Sequence, residues 1–176
     1  MLTLTRSAPQ YFDMDGVFGK LVLQSGDENI NLYTREKIWH MMDRWPHGKP
    51  LDSCVVNGDY QLVRGYSNLS KNEEIFLYNQ KLGVHVSSKD RESAIQRYGC
   101  IFTYRDIDTI AEGCVQVGME IKQKDGKRAL YDPIKAYKLL RSWIDKENEQ
   151  EIKIKWGRDQ IIWVNYFNLN LQLQLL

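Results

Sequence analysis

A chain of 176 residues with 43% hydrophobic and 27% charged side chains is long and apolar enough to bury one core, which excludes a disordered or fibrous protein. Its 24 Lys and Arg against 23 Asp and Glu give a formal charge of +1, without the basic excess of a general nucleic-acid binder. Three cysteines, Cys54, Cys100 and Cys114, lack C-x-x-C spacing, so neither a disulfide framework nor a zinc site is expected, and no cofactor is implied.

The opening "MLTLTRSAPQYFDMDG" has no signal-peptide core, and no later stretch reaches the about eighteen apolar residues of a membrane span. The expectation is a protein made and folded in a cytosol, with no membrane partner. "DMDG" has half the pattern of a calcium loop but lacks the distal acidic ligand. Gly16 and Gly19 read as turn glycines, since no Gly-Lys-Ser/Thr follows. "VFGKLVLQ" and "INLYT", joined by the breaker-rich "SGDEN", form a hairpin pattern. From Arg35 to Pro50, Ile38, Met41, Met42 and Trp45 recur at helix-like spacing, closed by two prolines and a glycine; a short helix and an irregular insertion fit equally. His40, Asp43 and His47 in this stretch invite a metal reading, but no further ligand accompanies them, and a solvated or partner-facing role fits better.

"SCVV", a turn at Asn57-Gly58 and "YQLVRGY" give the strongest local hairpin signal, with "EIFLYN" and "LGVHV" as further strands. "YRDIDTIAEG" offers Asp106 as the cap of a short helix and Gly113 as its stop, and "VQVGMEIKQ" is strand-like. "DPIKAYKLLRSWIDKE" is a helix by Asp132 at the N-cap, Pro133 at the first turn, and Ile134, Tyr137, Leu140 and Ile144 on one face. "EIKIKW" and "QIIWVNYFNLNLQLQLL" alternate as strands do. The whole predicts a mainly β fold, a sandwich or open barrel with a short helix after a Gly-Cys turn. Residues 1–125 form the β domain and 126–176 an appended helix and β-hairpin.

Within "LGVHVSSKDRESAIQRYGCIF", His85 lies in an apolar run and Cys100 follows Gly99. A buried histidine or cysteine is by itself most often core. A glycine before a nucleophile, however, lets the backbone turn sharply and leaves room for a substrate, and a histidine on the neighbouring strand can take the thiol proton.

These residues resemble the L,D-transpeptidase catalytic domain family. Its signature is a strand ending in His-Gly or His-Ser, a loop, then Ser-His-Gly-Cys, an aliphatic residue, and Arg or Asn. "VHVSSKDRESAIQRYGCIF" is similar in the histidine, the interval, the Gly-Cys and Ile101. "SCVVNGDY" resembles the hairpin of small phage-encoded members, which precedes a His and Gly-Cys-Ile pair. The resemblance runs over about residues 15 to 124. Val86 stands where the family has Gly or Ser, Tyr98 where it has a second histidine, and Phe102 where it has Arg or Asn.

The resemblance implies cysteine-dependent acyl transfer or hydrolysis on peptidoglycan stem peptides, reached through host lysis or a virion. Cys100 would be the nucleophile and His85 the base, with backbone amides from Gly99 to Ile101 stabilising the oxyanion. Val86, Tyr98, Ile101 and Phe102 would line the substrate. The other reading is a non-enzymatic descendant of the scaffold that binds a protein partner or builds a particle, with "WHMMDRW" and "IIWVNYF" as contact segments.

Overall fold

A computed structural model describes residues 1–7, 16–39, 48–68, 70–105 and 110–157. The protein is mainly β, with about half of these residues in strands. Its elements run in order as β1 (Leu2–Arg6), β2 (Val17–Ser25), β3 (Glu28–Glu36), β4 (Gly58–Ser67), β5 (Asn72–Tyr78), β6 (Val84–His85), β7 (Arg97–Tyr98) and β8 (Phe102–Thr103). These are followed by β9 (Val115–Gly118), β10 (Glu120–Lys124), β11 (Lys127–Tyr131), α1 (Pro133–Glu147) and β12 (Glu151–Trp156).

Eight strands form one sheet in the order β5, β4, β12, β1, β2, β3, β9, β8. It curls until its ends meet at an isolated bridge, Phe76 opposite Ile101, where the Leu77 amide donates to the Cys100 carbonyl at 2.8 Å. The result is a nearly closed barrel with one helix packed against its core. Strand alternation sets the lining. Tyr60, Ile152, Leu2 and Leu23 stand side by side across four strands, and Ile154, Leu4, Leu21 and Leu32 form the next row. All eight are buried, and α1 adds Ala136, Tyr137, Leu140, Trp143 and Ile144 to the same cluster. Ile134, expected on that face, is exposed.

The β2–β3 hairpin and β12 match the expected elements. Three expectations change. First, "SCVV" is not a strand: residues 53–57 precede β4, which starts at Gly58 and finds its hairpin partner in β5. The cause is long-range, because the Val55 amide donates to Glu36 Oε1 and the Ser53 and Cys54 carbonyls accept from Arg97. Second, "VQVGMEIKQ" is two strands broken at Met119, whose amide donates to the Tyr131 carbonyl. Third, the boundary at 125/126 does not separate two cores, because β12 lies between β1 and β4, parallel to the first and antiparallel to the second. The short helix after the Gly-Cys turn falls on 106–109, outside the described residues, and its flanks, Tyr104–Arg105 and Ile110–Gly113, are not helical. His40, Asp43, His47, "DMD" and everything after Gly157 are also outside the described residues. Asp132 holds the N-cap position but with φ 50°, and its side chain makes no capping bond.

Candidate functional site

The site is built on three short segments that leave β5 and return to the barrel wall. Asn79 starts a 3-10 turn by accepting the Leu82 amide, and Gly83 ends it with φ 61°. The chain then enters β6, which pairs in parallel with β7 so that Val84 faces Arg97 and His85 faces Tyr98. Ser87 and Asp90 cap the turn between these strands reciprocally. Gly99 takes φ 66°, a conformation costly for any residue with a Cβ, and its amide donates to the His85 carbonyl at 3.1 Å. The glycine therefore does produce a sharp bend immediately before Cys100, on a backbone tied to that of His85.

The bend places the two expected catalytic side chains differently. In paired strands, residues in register share a face and successive residues alternate. Val84 and Arg97 share one face and belong to the buried interior, while His85 and Tyr98 share the other. Cys100 turns inward, into the barrel's hydrophobic cluster, at 2% exposure. Burial pushes its thiol up; the Arg97 guanidinium, next in size, pulls the other way, and Glu36 adds to the rise. His85 is buried on the opposite side, edge-on to Tyr78 at 6.2 Å, with Nε2 lacking any partner. No hydrogen bond joins the His85 ring to the Cys100 sulfur among the described residues, and the Gly99 amide is already engaged by His85.

The remaining expected residues spread around this bend. Tyr98 is 42% exposed beneath Arg91, whose guanidinium carbon sits 4.5 Å from the ring centroid. Ile101 and Phe102 are buried in the wall, Ile101 at the bridge to Phe76 and Phe102 beside Val115. Val86 is half-buried near Gly65 and Phe76.

Sequence reasoning missed the polar core that surrounds Cys100. Arg97 is 1% exposed and ties two loops together, donating to the carbonyls of Cys54 at 2.6 Å, Ser53 at 2.8 Å and Gly113 at 3.4 Å. Arg6 clasps Glu36 through Nε at 2.7 Å and Nη2 at 2.8 Å, and reaches Asn57 Oδ1 at 2.9 Å through Nη1. A bidentate pair of this kind survives burial because its donors and acceptors are matched. The available signal was parity: Arg6 continues the inward series of Leu2 and Leu4. Cys54 lies in the same core, its thiol pushed up to about 12 chiefly by burial. Cys114 is only partly buried; its thiol, pushed up to about 11 for the same reason, donates weakly to the Gly99 carbonyl at 3.7 Å.

A cleft of about 720 Å³ opens elsewhere, between β4 and the carboxyl end of α1, lined by Gln61, Arg64, Ile75, Ile144, Asp145 and Glu149 among others; neither Cys100 nor His85 borders it. No group of metal-ligating side chains occurs among the described residues, and none of their helices is long and apolar enough to cross a membrane. No protein-family model, curated protein or solved structure matches this chain.

Proposed function

We propose that this protein is a non-catalytic β-barrel scaffold that binds a protein partner, laid out like a cysteine acyl-transfer domain but using Cys100 as a packing residue. The observation that carries the reading is the enclosure of Cys100. Its sulfur is buried in the barrel's core, its thiol is pushed up chiefly by that burial, and the charge that acts on it most strongly is that of Arg97. A nucleophilic cysteine needs the thiolate and an approach path, and buried apolar surroundings work against both. Arg97 and the Arg6–Glu36 pair instead fasten the loops around it. Large apolar side chains left in solvent near the bend, Ile95, Tyr98 and Tyr104, give a partner surface of the amphipathic kind that interfaces favour.

The second reading is acyl transfer on peptidoglycan stem peptides, and one observation favours it. A histidine at 3% exposure with an unpartnered Nε2, on a backbone bonded to the Gly-Cys turn, is a costly arrangement that catalytic sites tolerate. Incubation with a tetrapeptide donor, followed by mass spectrometry of the intact chain, separates the two. The scaffold reading expects no adduct on Cys100 and no released D-amino acid. An adduct on Cys100 that disappears in His85→Ala would overturn it.

A further inference from the structure

The barrel is not closed equally all the way round. The β2–β3 ladder runs over nine registered pairs, whereas β5 meets the Cys100 strand at one isolated bridge, Phe76 opposite Ile101. Continuing antiparallel from that bridge, Glu74 and Glu73 of β5 would come opposite Thr103 and Tyr104 respectively, yet no pairing is formed there. The first half of α1 occupies this place. Tyr137 donates through its hydroxyl to Glu74 Oε2 on one side and packs its ring 5.2 Å from that of Tyr104 on the other. One turn further, Arg141 Nη1 donates to the Glu73 carbonyl at 2.9 Å, and Arg141 Nη2 lies 3.8 Å from the Glu73 carboxylate. Where strand pairing stops, side chains of the helix take over.

We propose that the β5–β8 seam is the barrel's opening line, held shut by a clasp of Tyr137 and Arg141, and that its local opening is the event that exposes Cys100. Cys100 lies in the seam itself, since its carbonyl accepts the Leu77 amide that stitches the bridge. Separating β5 from residues 100–103 breaks that stitch and uncovers the sulfur while the long ladders stay intact. Regions joined by few backbone hydrogen bonds open well below the cost of global unfolding. Cys54 reports on the alternative. It is equally buried, but its backbone is held by Arg97 in the 53–57 loop rather than by the β5 bridge, so it is reached only when that loop releases.

The test is alkylation with iodoacetamide of the full chain at fixed pH, followed residue by residue with peptide mass spectrometry, in the wild type and in Tyr137→Phe and Arg141→Met. Removing one clasp bond should speed Cys100 alkylation by about fivefold, the factor expected for one net hydrogen bond, with the Cys54 rate unchanged. Because a variant could fold poorly, amide exchange in the wild type supplies an independent reading. The Leu77 amide should exchange faster than that of Leu32, which sits within β3, and by a route insensitive to low urea. Equal acceleration of Cys54 and Cys100, or equal protection of Leu77 and Leu32, overturns the proposal. The outcome is separable from that of the peptidoglycan assay, because a seam that opens says nothing about whether the thiol then acylates.

Discussion

Glu36→Gln removes one charge from the polar core and nothing else of consequence in volume. Glu36 is fully buried; it receives two hydrogen bonds from Arg6, at 2.7 and 2.8 Å, and one from the Val55 amide at 3.1 Å. Glutamine keeps an oxygen for Val55 but turns an N–H₂ donor toward a guanidinium that has only donors. Arg6 is then an uncompensated cation at 1% exposure, and breaking such a pair costs about 3–5 kcal/mol. With a urea m-value of about 2 kcal/mol/M, the unfolding midpoint followed by tryptophan fluorescence should fall by about 1.5–2.5 M. The double variant Arg6→Met, Glu36→Leu removes both charges and leaves the Val55 amide as the principal orphan, a cost of about 1–3 kcal/mol. It should therefore be more stable than Glu36→Gln alone. A midpoint loss below about 0.5 M in Glu36→Gln, or a double variant less stable than the single, would refute the view that this pair pins the 53–57 loop by charge.

Three further outcomes follow from local geometry. Because Cys54 is pushed up to about 12, its folded value exceeds the unfolded one, and its contribution to stability is present in full below the unfolded pKa and lost as pH rises toward 12. Urea midpoints of the wild type should fall between about pH 9 and 11, and Cys54→Ala should flatten that slope; equal slopes in both proteins would remove Cys54 as the cause. Gly113 has φ 67° and a Cβ there would meet Arg97 Nη2 at 3.2 Å and Leu51 Cα at 3.4 Å, whereas Gly26, at φ 55°, has nothing within 4 Å. Gly113→Ala should thus cost more than Gly26→Ala by about 1 kcal/mol or more in parallel urea titrations, and an inverted order would be the failing result. Asp132 sits at the amino end of α1 in a left-handed conformation without a capping bond. Asp132→Gly should raise the melting temperature slightly, by relieving about 0.5–1 kcal/mol of strain, where a true N-cap would lose stability.

The elements visible in the sequence were those whose cause is local. α1 carries Pro133 in its first turn and an apolar face ending at Ile144, and β12 alternates Ile152 and Ile154 with exposed charges. The β2–β3 turn contains Gly26, which the φ of 55° favours. Elements whose cause lies far away in the chain were not visible. β1 passes for a featureless leader until β12, about 150 residues later, pairs with it in parallel. "SCVV" has the composition of a strand, but its backbone groups are claimed by Glu36 and Arg97, so no ladder is left for it to join.

The same distinction separates what the His85 to Cys100 stretch predicts from what it cannot. Sequence order correctly brings the two backbones together, since a parallel pair of two-residue strands and the Gly99 bend place the Cys100 peptide next to that of His85. Facing is another matter, because one residue's shift in a strand moves a side chain to the other side of the wall. Here the face that includes Val84 and Arg97 is the inward one, and the left-handed Gly99 sends Cys100 to that side while His85 stays with Tyr78 and Tyr98. A dyad requires both side chains on one side of the wall. The arginine two positions before Gly99 decides between them: with its guanidinium committed to the carbonyls of Ser53, Cys54 and Gly113, β7 cannot rotate to bring Cys100 outward without burying three unsatisfied acceptors.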